Sequence, residues 1–261
     1  MITAPAISQK GGVGKTLIIA SISVALANRG YRVWLIDLDP NATLSKALGV
    51  SNQANVNGAL TYIMGFTKSV KVFTASVENN TVVNIKIVPP GAIPNVSLDG
   101  ALPSTPVLMS RLSSLINGIS NYRARPNFIL IDTPTLSPTV SPSLTASILG
   151  TADAVILVAT DEPGGLGWVG KFLEYASTIT PGRRLEYVLV LNKLISIRGG
   201  FDLGVKYVIK ILRNPSVEAA WRVGSIPYLI KDPELNQFRR AIDELTSILE
   251  KFNAEHTWVM R

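Results

Sequence analysis

Apolar, β-branched runs that are continuous rather than alternating recur along this chain: Ile2 to Ser8, Arg32 to Asp37, Val82 to Val88, Phe128 to Asp132, Ala154 to Ala159, Tyr187 to Leu191 and a short one at Val223 to Ile226. A strand that is apolar at successive positions needs cover on both faces, and a parallel sheet between two layers of helices supplies it. Helical patterns fall between the runs: Lys15 to Asn28, closed by Arg29-Gly30; Pro106 to Asn121; Pro142 to Leu149; Leu166 to Thr178; Leu203 to Leu212; and Pro233 to Asn253. The reading is α/β, a doubly wound, mostly parallel sheet flanked by helices. The Gly/Pro/Ser-rich stretches at Pro89 to Pro106 and Pro134 to Pro142 are loop-length, and no tandem repeat is visible, so residues 1–261 read as a single domain.

Composition narrows the chemistry. No apolar run approaches the ~18–20 residues of a spanning helix, and Met1-Ile2-Thr3-Ala4-Pro5 lacks signal-peptide features, so a cytoplasmic chain is expected. The absence of cysteine excludes thiolate metal sites and iron–sulfur clusters, and a lone histidine, His256, argues against histidine-based metal or triad chemistry. What remains is Lys, Asp, Ser/Thr and backbone. The net charge of +7 is concentrated: Arg183, Arg184, Lys193, Arg198, Lys206, Lys210, Arg213 and Arg222 face only Glu186, Asp202 and Glu218 in the same stretch. A polyanion partner and a merely solvated basic face both account for that.

After the first strand comes Ser8-Gln9-Lys10-Gly11-Gly12-Val13-Gly14-Lys15-Thr16, opening into the Lys15 to Asn28 helix, which is read as amphipathic. Glycines let successive backbone N–H groups converge on a phosphate, and the helix N-terminus adds a favourable dipole. Lys15 would reach the β and γ phosphates, and the Thr16 hydroxyl would hold Mg²⁺. The strict G-x-x-x-x-G-K-[ST] pattern fails, because Gln9 stands where the first glycine belongs; a second lysine, Lys10, precedes Gly11 instead.

Lys10-Gly11-Gly12-Val13-Gly14-Lys15-Thr16 resembles the deviant Walker A loop of the ParA/MinD ATPases. Asp37-Leu38-Asp39-Pro40-Asn41 is similar to that family's first switch, and Asp132-Thr133-Pro134 to its Walker B and second switch. The resemblance implies a P-loop ATPase using ATP and Mg²⁺, in which Lys10 reaches across a nucleotide-sandwich homodimer to the partner's phosphates. It implies nucleotide contacts from Lys10, Gly11, Gly12, Val13, Gly14, Lys15, Thr16 and Leu17, with Asn192 on the adenine amino group and Pro227, after Ile226, in the wall around the base. Lys10, Lys15 and Asp39 would be catalytic, Asp39 by positioning or activating water; Asp132 would hold Mg²⁺ through a coordinated water, and Asp37 would support the first switch or the metal. Phosphoryl transfer to water needs little more than charge neutralisation and positioning, which two lysines, one Mg²⁺ and placed carboxylates supply.

Two departures stand out. Leu17 replaces a second threonine common in the family, and Asn41 replaces the usual glutamine, which implies weaker binding and slow, partner-stimulated hydrolysis. Two roles remain open. A MinD-like positioning ATPase needs a C-terminal membrane helix, and the acidic residues of Glu250 to Arg261 make a weak one, so no stable membrane anchor is expected. A short, Soj-like partition ATPase binds nonspecific DNA as an ATP dimer, is released when a ParB-like centromere-binding protein stimulates hydrolysis, and associates with the nucleoid in its ATP state. Arg198, Lys206, Lys210, Arg213 and Arg222 are the expected DNA contacts, Lys206 and Lys210 sharing a helix face at i, i+4.

Overall fold

The computed structural model describes residues 1–50, 57–77, 80–92, 102–162, 164–196 and 204–259. The strands are β1 (Ile2–Ile7), β2 (Val33–Asp37), β3 (Phe73–Val77), β4 (Asn80–Val88), β5 (Phe128–Asp132), β6 (Ala154–Ala159), β7 (Glu186–Leu194) and β8 (Tyr207–Leu212). They form one sheet in the order β3-β4-β2-β5-β1-β6-β7-β8. All neighbours are parallel except β3 and β4. The helices are α1 (Lys15–Asn28), α2 (Thr43–Ala47), α3 (Ala59–Met64), α4 (Thr105–Ser120), α5 (Pro142–Thr151), α6 (Gly167–Ile179), α7 (Pro215–Arg222) and α8 (Asn236–Val259).

The sheet has a core on each side, which is why its strands read as unbroken apolar runs. Along β5, Phe128 and Leu130 face the core shared with α1 and α8, while Ile129 and Ile131 face the one built with α3, α4, α5 and α6. Because β5 lies between β1 and β2, the chain reverses its direction of strand addition there, and that reversal opens a crevice at the strands' carboxyl ends. Register brings the chemistry together: Asp132 pairs with Ala6 on one side and with Asp37 on the other.

Four expectations are corrected. The helix expected over Leu203 to Leu212 begins outside the described residues, and its Tyr207–Leu212 part is strand β8, whose alternation puts Ile209 and Ile211 in the core. Lys206 precedes the strand and packs on the Tyr207 ring, while Lys210 lies within it on the side of Val208 and Leu212, so the two do not sit as helix i, i+4 neighbours. Val223 to Ile226 forms no strand; Val223 closes α7 at 78% exposure and Gly224 turns the chain at φ +85°. Helix α1 is not amphipathic but buried almost all round, wedged between the sheet and α8, where Arg29 pairs with Asp243 and Glu250. Strand β3 and helices α2, α3 and α7 were not expected from the sequence; the first three are short and lack a full period of apolar pattern.

Candidate active site

The loop between β1 and α1 is shaped by two glycines with positive φ, Gly12 at +74° and Gly14 at +102°. Gly14 begins α1, and the helix has neither a side-chain cap nor an acid in its first turn, so its free N–H groups are left to an anion. A Cβ on Gly14 would run into the side-chain amide of Asn192. That amide donates to the Val13 carbonyl at 2.7 Å, and Lys193, itself at φ +59°, donates from Nζ to the Gly12 carbonyl at 2.9 Å. The end of β7 therefore clasps the loop from below.

The two loop lysines are placed differently. Lys15 is 7% exposed and donates to the Ser8 hydroxyl at 2.7 Å, which in turn donates to the Lys10 carbonyl at 2.8 Å. Burial lowers the pKa of its ammonium, and the charges of Asp132 and Asp39 counter that shift. The Lys10 side chain is 46% exposed at the rim and lies 3.6 Å from the Glu162 carboxylate.

The three carboxylates also divide. Asp37 is fully buried and committed: one oxygen accepts from the Asp39 N–H at 3.1 Å, the other from the Ser45 N–H at 3.0 Å and the Ser45 hydroxyl at 2.7 Å. It braces the turn leading into α2. Asp39 is partly exposed, and its Oδ1 accepts from the backbone N–H and the Nδ2 of Asn41, both at 2.9 Å. Asp132 is buried with neither oxygen hydrogen-bonded; the Thr16 hydroxyl is near enough to favour its charged form without a bond of ordinary geometry. Burial, reinforced by Asp37 across the register, pushes the Asp132 acid up to about 8, and burial carries Asp37 to about 7. A buried carboxyl with uncommitted oxygens beside a threonine hydroxyl fits a divalent cation, which would displace its proton. Among the described residues no cluster of three acid or histidine ligands exists. That suits Mg²⁺, which keeps most of its waters and leans on phosphate oxygens.

A cleft of about 530 Å³ is lined by Gly11, Gly12, Gly14, Lys15, Thr16 and Leu17 together with Asp39, Asn41, Thr43 and Thr135, while Lys10, Asp37 and Asp132 do not line it. Lys193, Glu218, Trp221 and Arg222 complete the lining. Asn192 and Pro227 are buried and are not among its lining residues, which include Trp221 and Arg222. Sequence reasoning missed Trp221 because it missed α7, although Asn214, whose side chain caps the helix, followed by Pro215 is a readable helix start. Of the expected DNA contacts, Arg198 lies outside the described residues, and Arg222 stands at the cleft rather than with the others. Lys206 lies 5.2 Å from the centre of the Tyr207 ring, Lys210 is half-buried on β8, and Arg213 pairs with Glu218 at 3.3 Å.

A parallel sheet whose first strand delivers a glycine loop and a buried lysine to the N-terminus of a helix defines a P-loop nucleotide-binding protein. The profile of the AAA_31 family, an AAA domain, matches residues 3–185. The sporulation initiation inhibitor protein Soj of Bacillus subtilis is 29% identical over 204 residues, 78% of this chain and 76% of that protein. The chromosome-partitioning ATPase Soj of Thermus thermophilus is 27% identical over 192 residues, 70% of this chain and 66% of its own length. The solved structure of the septum site-determining protein MinD of Pyrococcus horikoshii, complexed with Mg-ADP, superposes with a TM-score of 0.65 at 23% identity, covering 96% of this chain and 98% of that one. The chain belongs to the AAA_31 family and, within it, to the Soj-like ParA/MinD group of P-loop ATPases.

Proposed function

We propose that this chain hydrolyses ATP to switch its hold on DNA: ATP closes a sandwich homodimer, the dimer binds nonspecific DNA, and a ParB-like, cargo-bound partner stimulates hydrolysis and release. The observation that carries this is the split between the lysines, Lys15 turned into its own cleft and Lys10 half-exposed at the rim, where a second subunit's phosphates can meet it. Exposed Ile195, at 85% and two residues after the cleft residue Lys193, and Val223, at 78% and next to the cleft residue Arg222, supply apolar area for such a closure.

Within one cleft, the N–H groups of Gly11 to Thr16 bind phosphate oxygens and Lys15 neutralises them. Mg²⁺, held by the Thr16 hydroxyl and through water by Asp132, would supply further charge neutralisation. Asp39 keeps Oδ2 free of hydrogen bonds to described residues while Asn41 fixes Oδ1, so it can orient a water and take its proton. Trp221 offers a face to the base.

The DNA surface is drawn from Lys210 on the edge strand β8, from Lys206 and Arg213 just beyond its two ends, and from Arg198, which lies outside the described residues; such cations meet phosphates without base reading. A membrane-positioning role is less well supported, because α8 spends Leu249 and Phe252 on the core. The test is binding to random-sequence duplex DNA with ATP, with ADP and without nucleotide, at two salt concentrations, beside anionic liposomes. Salt-sensitive DNA binding with ATP alone is expected. Liposome binding without DNA binding would overturn the proposal.

A further inference from the structure

A second concavity lies away from the nucleotide cleft and shares no residue with it. Its floor is Trp34 of β2, with Leu115 and Ile119 of α4 and Tyr62 of α3. Trp34 is three residues before Asp37, ~10 Å along the strand, so the groove opens toward the opposite end of the sheet. The floor is dry, Trp34, Leu115 and Ile119 being 3%, 5% and 4% exposed, while the rim is apolar and open, with Tyr122 at 49% and Val72 at 36%. Tyr122 stands edge-on to Trp34, ring centres 5.0 Å apart, and frames the opening.

Charge sets the character of the rim. Residues 57–77 and 102–127, which carry the groove apart from Trp34, contain no acid at all. Lys68, Arg123 and Arg125 flank the lining residues in the chain, exposed and none in an ion pair with a described residue, whereas Lys71, between the lining residues Val70 and Val72, puts its ammonium 5.2 Å from the centre of the Phe73 ring, which packs on the other core. An apolar slot whose flanking chain segments carry lysine and arginine but no acid is complementary to an apolar side chain carried among carboxylates.

We propose that this groove docks a short acidic segment of a partner protein, which inserts one bulky aromatic or aliphatic side chain over Trp34 and sets its carboxylates toward Lys68, Arg123 and Arg125, the exposed cations that adjoin the slot in the chain. The volume of about 230 Å³ falls below the ~300–1,000 Å³ of small-ligand pockets and suits a single anchor. A phosphodiester backbone would satisfy the rim and leave the floor empty. A bilayer would meet the rim and bridge the slot. The partner is thereby tethered independently of the nucleotide cleft.

The floor supplies its own plug. Gly118, on α4, lines the groove, and a Cβ there meets nothing within 4 Å, so Gly118→Trp fills the slot in open space and removes a helix glycine. The probe is a set of labelled nonapeptides of Asp and Glu around a central Phe, Trp or Leu, with central Ala and all-Lys controls, titrated against the full chain by fluorescence anisotropy. Expected are salt-weakened binding of the acidic peptides with a bulky centre, at least tenfold loss for the Ala and Lys controls, and a similar loss in both Gly118→Trp and Arg123→Glu/Arg125→Glu. Gly118→Trp should keep wild-type thermal unfolding and nucleotide binding. The proposal is overturned if no peptide binds at millimolar concentration or if Gly118→Trp leaves peptide binding intact. It is overturned equally if the face instead binds duplex DNA or anionic vesicles in a way that Arg123→Glu/Arg125→Glu abolishes and Gly118→Trp does not.

Discussion

Gly14 and Asn192 meet where β7 clasps the phosphate loop, and a double-mutant cycle on the pair isolates that clasp. Alanine at Gly14 has two costs. The backbone there sits at φ +102°, and forcing an L-residue into left-handed space costs ~1–2 kcal/mol. The added methyl also claims the space of the Asn192 amide, so the 2.7 Å bond to the Val13 carbonyl must be given up. That bond joins residues 3% and 6% exposed, and stranding a buried carbonyl costs ~1–3 kcal/mol. Gly14→Ala should therefore destabilise the nucleotide-free protein by ~2–5 kcal/mol, and Asn192→Ala, which deletes the bond alone, by ~1–3 kcal/mol. In the Asn192→Ala background the methyl meets no amide and only the strain remains. The double variant should fall short of the summed single effects by about the energy of the bond, ~1–3 kcal/mol. Urea denaturation at fixed pH reads all four corners, and calorimetric ADP titration shows whether the loosened loop binds more weakly. Additivity within ~0.5 kcal/mol would refute the clasp.

Three further outcomes are expected. Asp132 and Asp37, held protonated by burial at folded pKa values of about 8 and about 7, keep protons that the unfolded chain has already lost above pH ~4. The stability they contribute is therefore full below the unfolded pKa and declines as pH rises toward the folded values. Melting of the nucleotide- and Mg²⁺-free protein should fall from about pH 5 to about pH 8, and Asp132→Asn should flatten that fall; an unchanged slope removes Asp132 as its source. Asp39→Ala should bind ATP with near-wild-type affinity yet turn it over at least ~100-fold more slowly, trapping the dimer in size-exclusion light scattering, and normal turnover would end its catalytic role. Trp221→Ala should weaken ADP binding by ~1–3 kcal/mol, while Trp221→Phe keeps most of it; equal affinity in all three proteins would show that the ring does not meet the base.

The sequence determined the sheet and the floor of the cleft because both are local. Unbroken apolar runs announce strands covered on two faces, so β1, β2, β5, β6 and most of β4 and β7 were legible, as were the long helices with full apolar periods. The loop from Lys10 to Thr16 needs its glycines, lysine and threonine in one contiguous string, since backbone N–H groups must converge on a phosphate within a few residues. Tertiary structure decided what depends on neighbours far along the chain. The Tyr207–Leu212 run carried apolar residues compatible with either a helix or a strand, and only the vacant edge of β7 made it β8. Asp37 and Asp132 are separated by most of two crossovers, and only the insertion of β5 between β1 and β2 set them in register, where burial raises both acids. Lys10 and Lys15, five residues apart, took opposite surroundings because the turn at Gly12 and Gly14 sends one to the rim and the other under the helix. Trp221 reached the cleft on a short helix whose start is marked by Asn214-Pro215, but whose place beside the phosphate loop only the fold sets. Local pattern thus chose the elements and the phosphate loop, whereas burial, register and edge vacancy, which belong to the assembled sheet, assigned the surrounding groups their environments.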